Sequence, residues 1–350
     1  MGAALVAGVL GQGNERQSRT QLMGRRSEFG VDMEITRIAL DVHAHLAPID
    51  EARLSTMANV QWDGAARRLT LDGHTIGLSA LFSPAALIEW MDQQGVAQAW
   101  VSIPPPMYRQ SLDQAASSMW CSFVNDGLRG VCERFPSRLS ALLHLPLEHP
   151  ELATRLVLEN NGAFRYAAAA GGYEGALSDA AYEPLWAALN AQSAFLFLHP
   201  GQCCDTRLSK FYLENLMGNP VETTVAASHL AFGGVAVRYP EIRFCLAHGG
   251  GATAMLAGRY ERGYRTSRPG VDVTLPSPRG IFSRFFVDCI THDDGALALS
   301  ESIFGSENVV FGSDWPFPMG LLNPHDDLSG LDESRRHAIL TRNASTLLKE

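Results

Sequence analysis

The chain predicts a (β/α)8 TIM barrel, with an insertion after its first strand and a disordered or loose N-terminal arm. Three observations predict it. Short apolar runs recur eight times from residue 38 onward, several of them nearly continuous, as parallel strands covered on both faces require. A longer stretch of helical period follows each run. The polar residues that interrupt the runs, most of them histidines, fall where the runs end. A doubly wound open sheet is the competing architecture for the same alternation.

The elements follow in order. Residues 1–36 are expected to form the arm. MGAALVAGVLGQGNERQ has a short apolar stretch with no basic residue before it, a poor secretory signal, and 11–32 is Gly-, Arg- and Ser-rich without periodicity. Met33 offers a second candidate start. The barrel domain is expected over 37–350, with strands at 38–46 (IALDVHAHL), 96–104 (VAQAWVSIP), 138–146 (RLSALLHLP), 164–170 (FRYAAAA), 194–200 (AFLFLHP), 242–250 (IRFCLAHGG), 284–290 (RFFVDCI) and 308–316 (NVVFGSDWP). Residues 47–80, with WDG and LDGHT, form the insertion. In SPAALIEWMDQQG, Ser83 is an N-cap, Pro84 suits the first turn and Gly95 closes the helix. The other helices are expected over 111–135, 149–160, 179–192, 222–240, 251–264, 293–305 and 331–350.

Composition narrows the function. Apolar residues make up 46% and charged residues 19%, a globular balance, and the net charge of −9 argues against a nucleic-acid or anionic-membrane surface. No apolar run approaches the roughly 20 residues that span a bilayer. Six cysteines are too few for a disulfide scaffold and show no zinc-ribbon spacing, so they read as reduced thiols of a cytoplasmic protein. No dinucleotide fingerprint or phosphate loop is present, which leaves no organic cofactor implied.

The strand ends carry the chemistry. His43 and His45 close the first strand, two positions apart and so on one face. His199 closes the fifth in FLFLHPG, His248 the sixth in FCLAHGGG, and Asp314 the eighth in VVFGSDWPFP. Taken singly, a His-Pro is a turn and a Ser-Asp a cap. Taken together on one barrel, they converge on the rim where active sites sit. Imidazoles and a carboxylate around an open position make a catalytic-type site for one divalent ion, with water as the remaining ligand.

These residues resemble the metal-dependent amidohydrolase superfamily. His43-Ala-His45 marks the superfamily; HGGG followed by Gly258-Arg259, and then GSDWPFP, are similar to its branch of 2-amino-3-carboxymuconate 6-semialdehyde decarboxylase and hydroxybenzoate decarboxylases. The likeness runs from about 37 to 348. It implies that His43, His45, His199 and Asp314 hold one ion, Zn²⁺ before Mn²⁺, and that His248 is the general base beside the metal-bound water, with His248 or Asp314 returning the proton. It implies a small carboxylic acid substrate near Arg259, Phe211, Tyr212 and Phe317, and a homodimer in which Arg259 reaches the neighbouring site; His292, by its place in the loop after the seventh strand, is a further polar candidate to face substrate. One departure stands out. The branch carries an arginine in the insertion just before the SPAALIEWMD-like helix, where LDGHTIGLSALFSP offers His74 and Thr75 instead. The expected activity is non-oxidative decarboxylation of an unsaturated or aromatic acid. The same metal site would also serve hydrolysis of an amide, ester or lactone, or hydration of a double bond. A non-catalytic metal-binding protein would leave the open position and His248 without a purpose.

Overall fold

The computed structural model describes residues 36–160, 162, 164–203 and 205–348. The arm expected over 1–36 therefore lies outside the described residues, except for Thr36. Eight barrel strands follow: β1 (Ile38–His45), β2 (Val96–Ser102), β3 (Leu139–Ala141 and Leu143–Leu145), β4 (Arg165–Ala169), β5 (Phe195–His199), β6 (Arg243–Leu246), β7 (Phe286–Asp288) and β8 (Val309–Val310). All neighbouring pairs are parallel. The ring closes where Val42 N donates to Phe311 O (3.0 Å), Asp314 N to His43 O (2.7 Å) and His45 N to Trp315 O (2.8 Å). The competing open sheet is thereby excluded.

Two strands differ from the expectation. β3 is broken at Leu142, its first half pairing with β2 and its second with β4. β8 keeps only two ladder residues, because the chain beyond Phe311 leaves the ladder to bond β1 and aim Asp314. The interior is one connected cluster that includes Leu40, Val42, Trp100, Leu142, Ala167, Phe195, Phe197, Cys245 and Val310.

The helices form the outer layer: α1 (Pro84–Gln94), α2 (Gln114–Cys132), α3 (Pro150–Glu159), α4 (Glu183–Ala191), α5 (Asn219–Phe232), α6 (Thr253–Arg265), α7 (Asp294–Phe304) and α8 (Glu333–His337). α1 has the expected ends: the Ser83 side chain accepts from Ala86 N, and Gly95 takes a left-handed φ of 70°. α5 starts earlier than its apolar pattern, with Pro220 in its first turn, and stops before Gly233-Gly234. The long C-terminal helix is instead α8, a π turn (Ala338–Arg342) and a last short helix (Ser345–Leu348). Asn343 between them donates to Ser306 O and Val309 O, both at 2.7 Å, fastening this end to β8.

The insertion folds as a small antiparallel sheet, Val60–Asp63, Arg68–Leu71 and His74–Ile76. Asp72 and Gly73, with φ of 49° and 83°, make its second turn, a two-residue loop that demands left-handed backbone. Arg109 holds the sheet to the loop after β2, donating to both Asp72 oxygens (2.8 and 2.7 Å) and to Ala58 O (3.1 Å). Among the described residues no helix is long and apolar enough to cross a membrane.

Candidate metal centre

β1 carries a bulge. Asp41 lies opposite Ala99 but Ala44 opposite Val101, so β1 has one residue more than β2 over this stretch. An extra residue inverts the alternation of faces. Leu40 and Val42 belong to the interior cluster below the bulge, Ala44 belongs to the outer one, and His43 and His45 face the mouth above it. There they meet the other strand ends. His43 and His45 stand Nε2 to Nε2 at 3.1 Å, and Asp314 Oδ1 lies 3.2 and 3.1 Å from those nitrogens. The His199 ring is 4.9 Å from that of His43 and 5.1 Å from that of His45. One ligand atom each from His43, His199, His248 and Asp314 fall within 4.8 Å of one another.

This spacing fits a single ion. Two ligands about 2.1 Å from one centre and roughly 90–110° apart are about 3.0–3.4 Å from each other. Asp314 Oδ1 is buried without an aligned hydrogen bond, as an atom aimed at a shared centre would be. The ring nitrogens facing away are held. His43 Nδ1 donates to Asp288 Oδ2 (2.7 Å), His199 Nδ1 to Pro200 O (2.9 Å), and His45 Nδ1 lies near Ile103 O (3.2 Å) and Ser102 Oγ (3.1 Å). A proton held on Nδ1 leaves the Nε2 lone pair for a metal. His248 differs. Its Nδ1 has no partner among the described residues, its Nε2 lies 3.8 Å from the other Asp314 oxygen, and its side chain keeps 18% exposure.

Electrostatics follow from burial and proximity. Burial lowers the His43 imidazole, but the Asp314 and Asp288 carboxylates outweigh it and raise it to about 10. Burial, reinforced by His43, pushes His199 well below the ordinary value; His45 is lowered chiefly by burial. Burial would raise Asp314, yet His43 and the neighbouring imidazoles hold it well below the usual carboxylate range.

The support around the site is specific. Asp288 also accepts from His248 N, Gly249 N and Ile290 N. A Cβ on Gly312 would lie 2.8 Å from Asp288 Cβ and 2.9 Å from His43 Cβ, so only glycine permits their approach. Asp41 accepts from His43 N, Ser313 N and Ser313 Oγ, tying β1 to the loop that carries Asp314. His248 and Asp314 sit in left-handed backbone, φ 56° and 55°, a strained conformation for non-glycine residues.

The remaining expected residues are spread out. Phe317 adjoins the centre, its ring 5.5 Å from that of His45. Phe211 is 85% exposed, and Tyr212, His292 and Arg259 are also exposed. His74 and Thr75 lie exposed on the insertion sheet, with Thr75 Oγ1 bonded to Thr70 Oγ1. Sequence reading missed Asp288, Asp41, Tyr108 and His144. For Asp288 and His144 the signal was present: each is the lone polar residue within an apolar strand, in VDC and LHL.

Histidines and one carboxylate at the C-terminal mouth of a parallel barrel, with carboxylate and carbonyl anchors behind them, define a (β/α)8 protein whose donor set fits a divalent ion. The chain belongs to the amidohydrolase family, which it matches over residues 40–349, in the branch of 2-amino-3-carboxymuconate 6-semialdehyde decarboxylase. It is 28% identical over 280 residues to the Dictyostelium discoideum protein of that name, covering 77% of each chain. It is 25% identical over 337 residues to a gamma-resorcylate decarboxylase of Rhodococcus jostii, 89% of this chain and 98% of that one. In fold it is similar to a dihydroxybenzoic acid decarboxylase of a Polaromonas species with bound manganese, with a TM-score of 0.70 at 19% identity over 89% of this chain and 97% of that one.

Proposed function

We propose that the chain is a metal-dependent, non-oxidative decarboxylase of a small unsaturated or aromatic, hydroxybenzoate-like carboxylic acid. The observation that carries this reading is the cluster of His43, His45, His199, His248 and Asp314 in a chain whose relatives from Dictyostelium and Rhodococcus are decarboxylases. Hydrolysis or hydration would use the same donors, and no observation here favours either.

His43, His45, His199 and Asp314 would hold the ion. Three imidazoles and a carboxylate suit zinc first and manganese second. When bound, it supplies positive charge that anchors the substrate carboxylate and stabilises negative charge on the carbon losing CO₂. The chain's own groups do the rest. The C–CO₂ bond breaks with its electron pair left on that carbon, which then needs a proton. His248 carries it on Nε2, and Asp314 Oδ2, 3.8 Å away, steadies the imidazolium. Phe317 walls the site beside His45 and excludes water.

A homodimer completes this reading. Phe211, Tyr212, Leu216, Met217, Val221 and Val225 leave an exposed apolar row, and Met255 lies one turn before Arg259. Such a row supports an interface that brings Arg259 to the neighbour's substrate. Arg67 and Arg109 commit their guanidinium groups to Ser79 O, Phe82 O and Asp72, which favours a substrate with one carboxylate. Unpaired cysteines support a reducing compartment, the cytoplasm.

The test is a panel of hydroxybenzoates and muconate-type acids assayed for CO₂ release, beside amides and lactones assayed for hydrolysis. Metal-dependent CO₂ release is expected. Hydrolysis without CO₂ release would overturn the proposal.

A further inference from the structure

The barrel mouth holds two buried polar rings that the reaction above does not use. His144 lies on β3 two residues after Leu142, which belongs to the interior cluster, while Leu143 and Leu145 belong to the outer one. Strand alternation therefore turns the His144 ring inward, into the mouth. Its main chain is clamped, with N donating to Asn125 Oδ1 (2.7 Å) and O accepting from Asn125 Nδ2 (3.1 Å). Tyr108, in the loop after β2, stacks on that ring at 5.2 Å and 8°, and sets its own ring 6.4 Å from that of His199. His144 is 1% exposed and Tyr108 2%. Neither the Tyr108 hydroxyl nor either His144 ring nitrogen has a hydrogen-bond partner among the described residues. A buried polar atom left without a hydrogen bond is costly. Three such atoms belong to one stacked pair beside His199.

The charge of the place decides what satisfies them. Burial pushes the His144 imidazole down to about 3, so that ring is neutral, and the phenol stacked on it presents a hydroxyl. The adjacent cation, Arg109, is turned to Asp72 and lies over the Trp120 ring. A second carboxylate here would find two uncharged rings and no cation turned toward them. A hydroxyl fits, because it accepts from Tyr108 O–H and donates to the unprotonated nitrogen of His144.

We propose that Tyr108 and His144 form the subsite for a hydroxyl substituent of the substrate, selecting a hydroxylated monocarboxylic acid over its analogue lacking that hydroxyl. The identity of the ligand rests on the decarboxylase reading, but the test does not. Metal-loaded protein is titrated calorimetrically with 2-hydroxybenzoate and with each dihydroxybenzoate that adds one hydroxyl to it. One dihydroxy isomer binds about tenfold more tightly than 2-hydroxybenzoate, the scale of one well-made hydrogen bond. Tyr108→Phe and His144→Phe keep the stacked rings and erase that preference, with metal content, Tm and 2-hydroxybenzoate affinity near wild type. Should His144→Phe fail to fold, Tyr108→Phe decides alone. A preference that survives in Tyr108→Phe, equal weakening of every acid, or no preference in wild type overturns the subsite. Loss of the preference in a protein that releases no CO₂ from any acid keeps the subsite and removes the decarboxylase reading.

Discussion

Asp288→Asn tests whether the group behind His43 sets the metal centre. Asp288 is fully buried, and each of its oxygens accepts two hydrogen bonds. Oδ2 takes His43 Nδ1 at 2.7 Å and His248 N at 2.9 Å; Oδ1 takes Gly249 N at 3.0 Å and Ile290 N at 3.1 Å. An amide replaces one oxygen with NH₂, which faces two N–H donors whichever way it turns. Two bonds are lost, at about 1–3 kcal/mol for each donor left buried, so the metal-free protein loses about 2–6 kcal/mol. If the NH₂ faces His43, that ring must move its proton to Nε2, where a metal needs the lone pair. Metal affinity then falls about 10–100-fold, the usual effect of removing such an anchor. Urea unfolding of chelator-treated protein measures the first quantity, and competition with a chromophoric chelator the second. The pH dependence follows from the carboxyl's own shift. Burial would raise Asp288, but His43 holds it below the usual range, so its stabilisation is present above the unfolded value and lost as pH falls through the folded one. The gap between wild type and variant therefore narrows below about pH 4. An affinity equal to wild type, with stability unchanged to about 0.5 kcal/mol, would refute the reasoning.

Three further outcomes follow from the proposed function. His199→Ala and Asp314→Ala each lose most of the bound metal, read by elemental analysis after gel filtration; full occupancy in either removes that residue from the ligand set. His248→Ala keeps its metal and loses roughly 10²–10⁴ in kcat, whereas metal loss would make it a ligand. Mixing His248→Ala with Arg259→Ala protein restores about one quarter of wild-type activity once subunits exchange, because half the dimers are mixed and each carries one intact site. No recovery after exchange, verified by mass tags, places Arg259 outside the neighbour's site.

The sequence by itself determined the alternation of elements and the chemistry at their ends. Periodicity and caps are local properties, so Ser83, Gly95 and the apolar runs of β1 and β5 could be read without a partner. The strand-end rule located His43, His45, His199, His248 and Asp314 because a polar residue in an apolar run is conspicuous on its own. Tertiary structure decided what depends on closure. The bulge in β1 is visible only against β2, yet it turns His43 and His45 into the mouth while Val42 fills the interior below. β8 is short because Ser313 and Asp314 bond Asp41 and His43 across the seam, contacts between residues far apart in sequence. The roles of Asp288 and His144 arise from the rings that reach them, His43 for one and Tyr108 for the other. A side chain's partner is set by how eight strands close on one another, and no local pattern carries that register.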